Sequence, residues 1–321
     1  MAVGLSAVIV AATVENPFVV VTRAGADAPG LPAGVFDPAG DRTLELSLRG
    51  WVREQTGFEI GYVEQLYTFG DRGREAPQED LRAGAAARAI SISYLALTPG
   101  KARLERPGAS WRGWYDFCPW EDWRRGRPAF IDAEIAPRLM DWAARGADRE
   151  NREARATRAR LAFALGETWN EERALDRFEL LYEAGLAPEA ARDRMRFGGP
   201  PEETPELPPC FGEPMRFDFR RILATGISRI RAKIKYRPVV FELAPELFTL
   251  LELQRIVEAI AGLSLHKQNF RRLLERSKLV EGAGAYDARA GGRPAELFRA
   301  ARETLSRRPV GGIHVPAPRG E

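Results

Sequence analysis

Cysteine and histidine are scarce in this sequence, with two of each among 321 residues. Cys118 and Cys210 form no CxxC pair, so their spacing predicts neither a disulfide framework nor a zinc site and indicates a reducing compartment. With only His266 and His314 available, a histidine-rich metal centre or a histidine-based acid–base site has little material. We therefore expect a cytoplasmic protein with no metal site, in which any metal would need carboxylate ligands.

Long apolar runs are also missing, since no stretch approaches the roughly 20 consecutive apolar residues of a membrane-spanning helix. Residues 5–14 are apolar, but no basic segment precedes them, which favours a buried first strand over a signal core. Hydrophobic residues make up 45% and charged residues 29% of the chain, as in a globular protein with an ample core. We expect no membrane partner.

Charge is distributed unevenly, although the net charge is only +3. From Arg216 to the C-terminus there are 21 Lys or Arg and 11 Asp or Glu, a net of +10, which leaves −7 for the preceding 215 residues. A cationic C-terminal third on an acidic body is expected when one module binds a polyanion.

Periodicity in the first hundred residues predicts a mixed α/β domain. Alternating or β-rich runs predict strands at 5–14, 17–23, 60–68 and 89–97. Helical spacing of apolar residues predicts a helix over 43–55, which a glycine then ends.

The loop LPAG at 31–34 and the helix end EQTGF at 54–58 resemble the Nudix box of the Nudix hydrolase superfamily. That motif pairs a Leu-Pro-Gly-Gly loop with a helix ending Arg-Glu-x-x-Glu-Glu-x-Gly-hydrophobic. The resemblance implies magnesium ions held by glutamates on one helical face, because hard cations need several oxygen ligands.

This chain departs from the motif at the residues that carry the chemistry. Gly50 and Trp51 stand where Arg-Glu is expected, Gln55 replaces the second terminal Glu, and the spacing from Gly34 is about two residues too long. Only Glu54 remains of the metal-binding glutamates. One carboxylate cannot organise a metal cluster, so we expect no catalytic residues and no enzymatic activity.

Downstream segments resemble a Nudix-related group, the NrtR-like bacterial transcriptional regulators of NAD metabolism, whose Nudix-like domain senses a nucleotide. The resemblance is carried by residues 63–71, the RGR at 72–74 and residues 90–97. Aromatic rings in this region can stack on a base and arginines can pair with phosphate. An equally weighted alternative is a cross-strand aromatic pair beside solvated arginines. The candidate ligand residues are Arg49, Glu54, Tyr67, Phe69, Arg72 and Arg74.

Residues 106–210 do not fit that family's pattern, in which this region is usually short. Four tryptophans crowd the segment WRGWYDFCPWEDW, and burial against a sheet is favoured over stacking on a ligand base. Ala/Arg/Glu-rich sequence follows, so we treat about 124–208 as a mostly helical insertion of unknown role. Residues 215–236 predict one more helix, with an apolar stripe and seven Arg or Lys on its other faces.

The C-terminal part has the pattern of a helix-turn-helix. Thr249 and Glu252 form a capping-box pattern at a helix start, and that helix ends near Gly262. A second, basic helix begins at about 264–267, so the order is helix, glycine-containing turn and helix.

The second helix is apolar on the arc of Phe270, Leu273 and Leu274 and cationic opposite. Residues 248–272, followed by GRPAELF at 292–298, closely resemble the winged-helix signature of the same regulators. An ordinary amphipathic helix with a solvated basic face is the alternative. Carried over from the resemblance, the DNA-contacting residues are Lys267, Gln268, Asn269, Arg271, Arg272 and, on the wing, Arg293.

The sequence therefore predicts an α+β fold. An N-terminal Nudix-like mixed α/β/α sandwich (1–236) contains the helical insertion and precedes a C-terminal winged helix-turn-helix domain (237–321). The expected function is a homodimeric transcriptional repressor that binds double-stranded DNA at a pseudo-palindromic operator. By resemblance its targets are NAD-biosynthesis genes and its effector is ADP-ribose, NAD or ATP, with no required cofactor.

Two other functions stay open. The first is an active Nudix hydrolase of a nucleoside diphosphate derivative such as ADP-ribose, with carboxylates recruited from Glu45, Asp71, Glu75 or Glu79. The second is a non-catalytic scaffold that binds proteins through the helical insertion.

Overall fold

The computed structural model describes residues 2–23, 25, 27–71, 89–196, 206–236, 239–287 and 294–301. The strands are β1 (Ala2–Ala12), β2 (Pro17–Thr22), β3 (Ala33–Val35), β4 (Tyr62–Phe69), β5 (Ala89–Thr98), β6 (Ala109–Gly113), β7 (Val280–Asp287) and β8 (Ala295–Ala300). The helices are α1 (Leu44–Thr56), α2 (Trp114–Phe117), α3 (Ala136–Ala144), α4 (Arg149–Phe163), α5 (Ala174–Glu183), α6 (Pro188–Arg196), α7 (Phe219–Tyr236), α8 (Leu250–Ala261) and α9 (Lys267–Ser277).

The first six strands form one mixed sheet around β1. The strand order is β4-β5-β1-β2-β6, and β3 pairs with an earlier part of β1. β1 and β5 are parallel, while the other pairings are antiparallel. The four predicted strands and the predicted helix α1 are confirmed. β3 and β6 were not predicted, because each is short and follows no clear alternation.

Helices cover both faces of this sheet. Alternation along β1 directs Leu5 and Ile9 to the face covered by α1, where they pack with Leu48. The opposite face, with Val8 and Val10, packs against α7 and the helices before it. The predicted α/β/α sandwich is confirmed.

The helix predicted over 215–236 begins four residues late, at Phe219. Phe217 has a φ of 48°, which places it in the left-handed region and stops the helix there. The apolar stripe is buried as expected. Arg220 and Arg231 are buried with it, so the expectation that cationic residues occupy only the outer faces is wrong for these two.

The region predicted as a helical insertion contains α3 to α6, which confirms its helical character. Trp114 and Trp120 are fully buried, as the favoured interpretation of the tryptophan cluster predicts. Trp123 stacks on Trp169 with ring centroids 4.0 Å apart. This segment therefore serves the core.

The C-terminal elements are α8, α9 and the antiparallel β7–β8 hairpin, which together form a winged helix. Phe248 precedes α8 and exchanges backbone hydrogen bonds of 3.0 and 2.8 Å with Phe298 of β8. The apolar core of this unit is continuous with the α7 side of the sheet. Among the described residues, no helix has the length and hydropathy to cross a membrane.

Candidate nucleic-acid interface and effector cavity

The helix α9 has one apolar face and one polar face. Phe270 and Leu274 are buried against the rest of the winged helix. The predicted DNA-contacting residues of this helix are all exposed and form no ion pair with a described residue: Lys267, Gln268, Asn269, Arg271 and Arg272. Arg293, the sixth predicted residue, lies outside the described part of the chain.

The start of α8 is fixed by its capping box. Thr249 accepts a hydrogen bond of 3.1 Å from the backbone N–H of Glu252, whose carboxylate accepts one of 2.7 Å from the N–H of Thr249. Gly262 ends the helix with a φ of 70°. Both features were predicted, since each depends on residues close in sequence.

The turn between α8 and α9 is held from inside by two buried side chains of α8. The amide of Gln254 donates to the carbonyl of Leu265 at 2.9 Å, and Glu258 accepts from the backbone N–H of Leu265 at 2.8 Å. The turn that starts the basic helix therefore has a fixed conformation.

The rest of the protein caps the C-terminal end of α8. Three groups outside the winged helix bond to its last carbonyls. The hydroxyl of Tyr115 donates to Ala259 at 2.7 Å, Arg231 donates to Ile260 at 2.9 Å, and the N–H of Trp123 donates to Gly262 at 2.8 Å. Carbonyls that a helix end usually leaves unpaired are satisfied here by other elements.

Behind this junction lies a buried ion cluster. The carboxylate of Glu121 accepts hydrogen bonds from Arg177 of α5 and Arg231 of α7, and all three side chains are at most 1% exposed. Burial alone would raise the pKa of Glu121, but the two guanidinium groups hold that pKa below its ordinary value. The cluster thus links the predicted insertion, α7 and the end of α8.

The sequence reasoning missed this cluster, although part of the signal was present. Arg220 and Arg231 lie in register with Leu223 and Ile227 on the apolar arc of α7. An arginine on such an arc indicates a buried partner. Arg220 has one in Glu189, at 2.7 Å.

A cavity of about 530 Å³ lies beside α1, where the Nudix-box resemblance falls. Its lining includes the acidic residues Asp37, Asp41 and Glu54 and the basic residues Arg53 and Arg106. The hydroxyl of Ser47 donates to Asp41 at 2.7 Å and lowers the pKa of that carboxyl. The remaining lining residues are Val35, Leu46, Ser47, Gly50 and Trp51.

Two residues at positions where the Nudix-box resemblance expects glutamates contact the preceding loop. Gln55 exchanges two hydrogen bonds with the backbone of Ala33, at 3.1 and 2.5 Å. The indole N–H of Trp51 donates to the carbonyl of Val35 at 3.0 Å. The Trp51 ring packs so closely on Gly34 that a Cβ at residue 34 would lie 2.1 Å from a ring carbon. These two positions therefore stabilise the loop and offer no carboxylate to a metal.

The other predicted ligand residues do not gather at this cavity. Arg49 pairs with Glu45 at 2.8 Å and donates to the carbonyls of Ile60 and Gly61. Tyr67, 61% exposed, meets Phe69 edge-on at 5.4 Å.

Phe69 is buried in the core on the α7 side of the sheet, opposite α1, and Arg221 of α7 lies over its ring. The aromatic pair and Glu54 therefore occupy different faces of the sheet. Arg72 and Arg74 lie outside the described residues.

Comparisons with known proteins agree with this architecture. Residues 240–300 match the family described as the NrtR DNA-binding winged helix domain. The chain is 40% identical over 85 residues to the ADPR responsive transcriptional repressor NtrR of Acinetobacter baylyi. That match covers 26% of this chain and 34% of the relative, so it spans about a third of the relative's length.

Two solved structures are similar over most of their length. NrtR of Shewanella oneidensis in complex with a 27mer DNA aligns with a TM-score of 0.54 at 17% identity, over 97% of this chain and 98% of that one. A MutT/nudix family protein from Enterococcus faecalis aligns with a TM-score of 0.51 at 14% identity, over 93% and 87%. At these identities the likeness shows the fold. The chain therefore has a Nudix-like mixed sheet with helices followed by a C-terminal winged helix, and its residues 240–300 are similar to the NrtR DNA-binding winged helix domain.

Proposed function

We propose that this protein is a transcriptional repressor that binds double-stranded DNA through α9. The observation that carries the proposal is that this helix has a buried apolar face and an exposed basic face. Phe270 and Leu274 anchor it, while Lys267, Arg271 and Arg272 face solvent without an ion-pair partner among the described residues. A helix presented in this way fits the major groove, where arginine pairs with guanine or phosphate. Gln268 and Asn269 add groups suited to adenine.

The effector in this proposal is ADP-ribose or a related nucleotide such as NAD or ATP, bound in the cavity beside α1. Arg53 and Arg106 offer guanidinium groups to a diphosphate, and Asp37 and Glu54 offer acceptors to ribose hydroxyls. The name of the Acinetobacter relative, an ADPR responsive repressor, supports the choice of nucleotide. No residue here is assigned a catalytic role.

The proposal includes a homodimer on a pseudo-palindromic operator. Two copies of α9 would enter successive major grooves, and the effector would shift the dimer away from the spacing that fits both half-sites. The target genes would be those of NAD biosynthesis. Three statements stay predictions. They are the domain boundary at residue 237, the interpretation of 124–208 as an insertion, and the contact of Arg293 on the wing with DNA.

The alternative of an active hydrolase requires carboxylates beyond Glu54. Of the four proposed for recruitment, Glu45 pairs with Arg49 and Asp71 pairs with Arg221, while Glu75 and Glu79 lie outside the described residues. Magnesium-dependent turnover of ADP-ribose that Glu54→Gln abolishes would favour the hydrolase.

Selection of genomic fragments by the purified protein tests the proposal. The selection is carried out without a nucleotide and, separately, with ADP-ribose, NAD or ATP added. We expect a small set of fragments that share an inverted repeat near NAD-biosynthesis genes. Addition of one of the three effectors should change the amount of these fragments that the protein retains. Recovery of random fragments, with no change on adding any nucleotide, would contradict the proposed function.

A further inference from the structure

The loop that follows the tryptophan cluster lies against the turn of the helix-turn-helix. The hydroxyl of Ser264, in that turn, donates to the carbonyl of Arg124 at 2.6 Å, and Trp123 bonds to Gly262 just before it. Arg125 is the next residue, so its main chain lies within one peptide unit of the turn. Part of the body thus adjoins the start of α9.

Three arginines occur in this loop, and two of them hold it in place. Arg124 pairs with Asp122 at 2.7 Å and donates to Asn16 at the tip of the β1–β2 hairpin. Arg127 pairs with Asp132 at 2.7 Å. These ion pairs fix both sides of the loop.

Arg125 differs from its neighbours. Its side chain is exposed and forms no hydrogen bond or ion pair with any described residue. Gly126 follows with a φ of 89°, and its N–H donates to the carbonyl of Trp123 at 3.0 Å, which closes a tight turn around Arg125. The loop held by these bonds therefore carries an exposed arginine without a partner among the described residues, on a main chain that adjoins the helix-turn-helix.

The turn beside this loop and the start of α9 carry polar and cationic side chains that a DNA backbone could contact. Ser264, His266 and Lys267 are all exposed. When a recognition helix enters the major groove, the phosphate strand flanking that groove passes its first residues and the preceding turn. A guanidinium group there can pair with a phosphate oxygen.

We propose that Arg125, which belongs to the body and not to the winged helix, binds a backbone phosphate of the DNA that α9 reads. The inference rests on the proposed function, because it requires duplex DNA on α9. It gives the segment after β6 a role beyond the core. The protein would hold DNA across the junction between its two domains.

The test compares the DNA affinity of the full-length wild-type protein with that of the full-length variant Arg125→Ala. The DNA is a duplex of about 30 base pairs, which is long enough for two half-sites one helical turn apart. A random duplex and a genomically selected one are compared, because a phosphate contact is independent of sequence. We expect affinity for both to fall by a similar factor, roughly 3- to 10-fold near 0.1 M salt. The slope of log affinity against log salt concentration should become shallower by the amount expected for the loss of about one phosphate contact per protomer.

Two further variants separate charge from folding. Arg125→Lys should retain most of the affinity, since it keeps a cation at the same place. Arg160→Ala removes an exposed arginine of α4 that has no ion-pair partner among the described residues, and should leave affinity unchanged. Thermal unfolding of all three should match the wild type.

The outcomes also distinguish this inference from the proposed function. If Arg125→Ala binds both duplexes with wild-type affinity and salt dependence while Arg271→Ala and Arg272→Ala weaken binding, Arg125 is not a contact and the inference is wrong. If neither set of variants changes binding, the proposed function itself fails.

Discussion

Trp123 and Gly262 are joined by a backbone hydrogen bond of 2.8 Å, which ties the segment after β6 to the turn of the helix-turn-helix. Gly262 has a φ of 70°, and a Cβ on it would meet the carbonyl oxygen of Glu121 at 2.3 Å. The junction thus requires glycine for both conformation and space. Positive φ alone costs a non-glycine residue about 1–2 kcal/mol.

Gly262→Ala should therefore destabilise the protein by roughly 2–4 kcal/mol and reduce its affinity for DNA, because the alanine strains the turn and collides with the body. Denaturant unfolding measures the first effect. Gly50→Ala is the control, since that glycine lies within α1 and a Cβ there meets nothing within 4 Å. It should stabilise the protein by about 0.5–1 kcal/mol. Equal stability of the two variants would contradict the account of the junction.

Glu121→Gln should destabilise the protein by roughly 3–5 kcal/mol, because it leaves Arg177 and Arg231 buried beside a neutral partner. The matched change Glu45→Gln breaks an exposed pair with Arg49 and should cost less than about 1 kcal/mol. Both are measured by denaturant unfolding at neutral pH. A small effect of Glu121→Gln would mean that the buried cluster does not hold the junction.

The same carboxylate predicts a pH dependence. The folded-state pKa of Glu121 lies below its ordinary value of 4.5, so its stabilising effect is complete above that pH and is lost as pH falls through the lower folded-state pKa. The wild type should therefore lose stability below about pH 4.5 more steeply than Glu121→Gln. Parallel curves for the two proteins would exclude this assignment.

The effector can be localised by two variants on opposite faces of the sheet. Arg106→Ala, in the cavity beside α1, should raise the dissociation constant for ADP-ribose roughly 10-fold, because it removes a charge-assisted hydrogen bond. Tyr67→Ala, on the α7 side, should leave it unchanged. Isothermal titration calorimetry measures both. The opposite pattern would place the nucleotide on the aromatic pair of β4.

The sequence predicted those structural features that are determined by residues close together in the chain. The capping box at Thr249, the glycine at 262 and the strand alternation are set by residues close in sequence, and all were predicted. The buried cluster joins Glu121, Arg177 and Arg231, whose pairing depends on the tertiary arrangement of three elements. Only the place of Arg231 on an apolar arc pointed to it.

The candidate sites show the same limit. Amphipathic spacing was sufficient to predict which residues of α9 are exposed, because the helix buries one face. The ligand residues were chosen by resemblance and by residue type, and the fold separates Glu54 from Tyr67 by the thickness of the sheet. The place of Arg125 beside the turn depends on contacts between residues more than 130 apart in sequence.

The central claim is that the exposed face of α9 binds DNA, and one titration tests it most directly. The double variant Arg271→Ala/Arg272→Ala is compared with the wild type and with Arg160→Ala on genomically selected fragments at fixed salt. The account predicts a loss of affinity on the order of 100-fold for the double variant, with its fold and its ADP-ribose binding intact, and none for the control. Wild-type affinity of the double variant would contradict the claim.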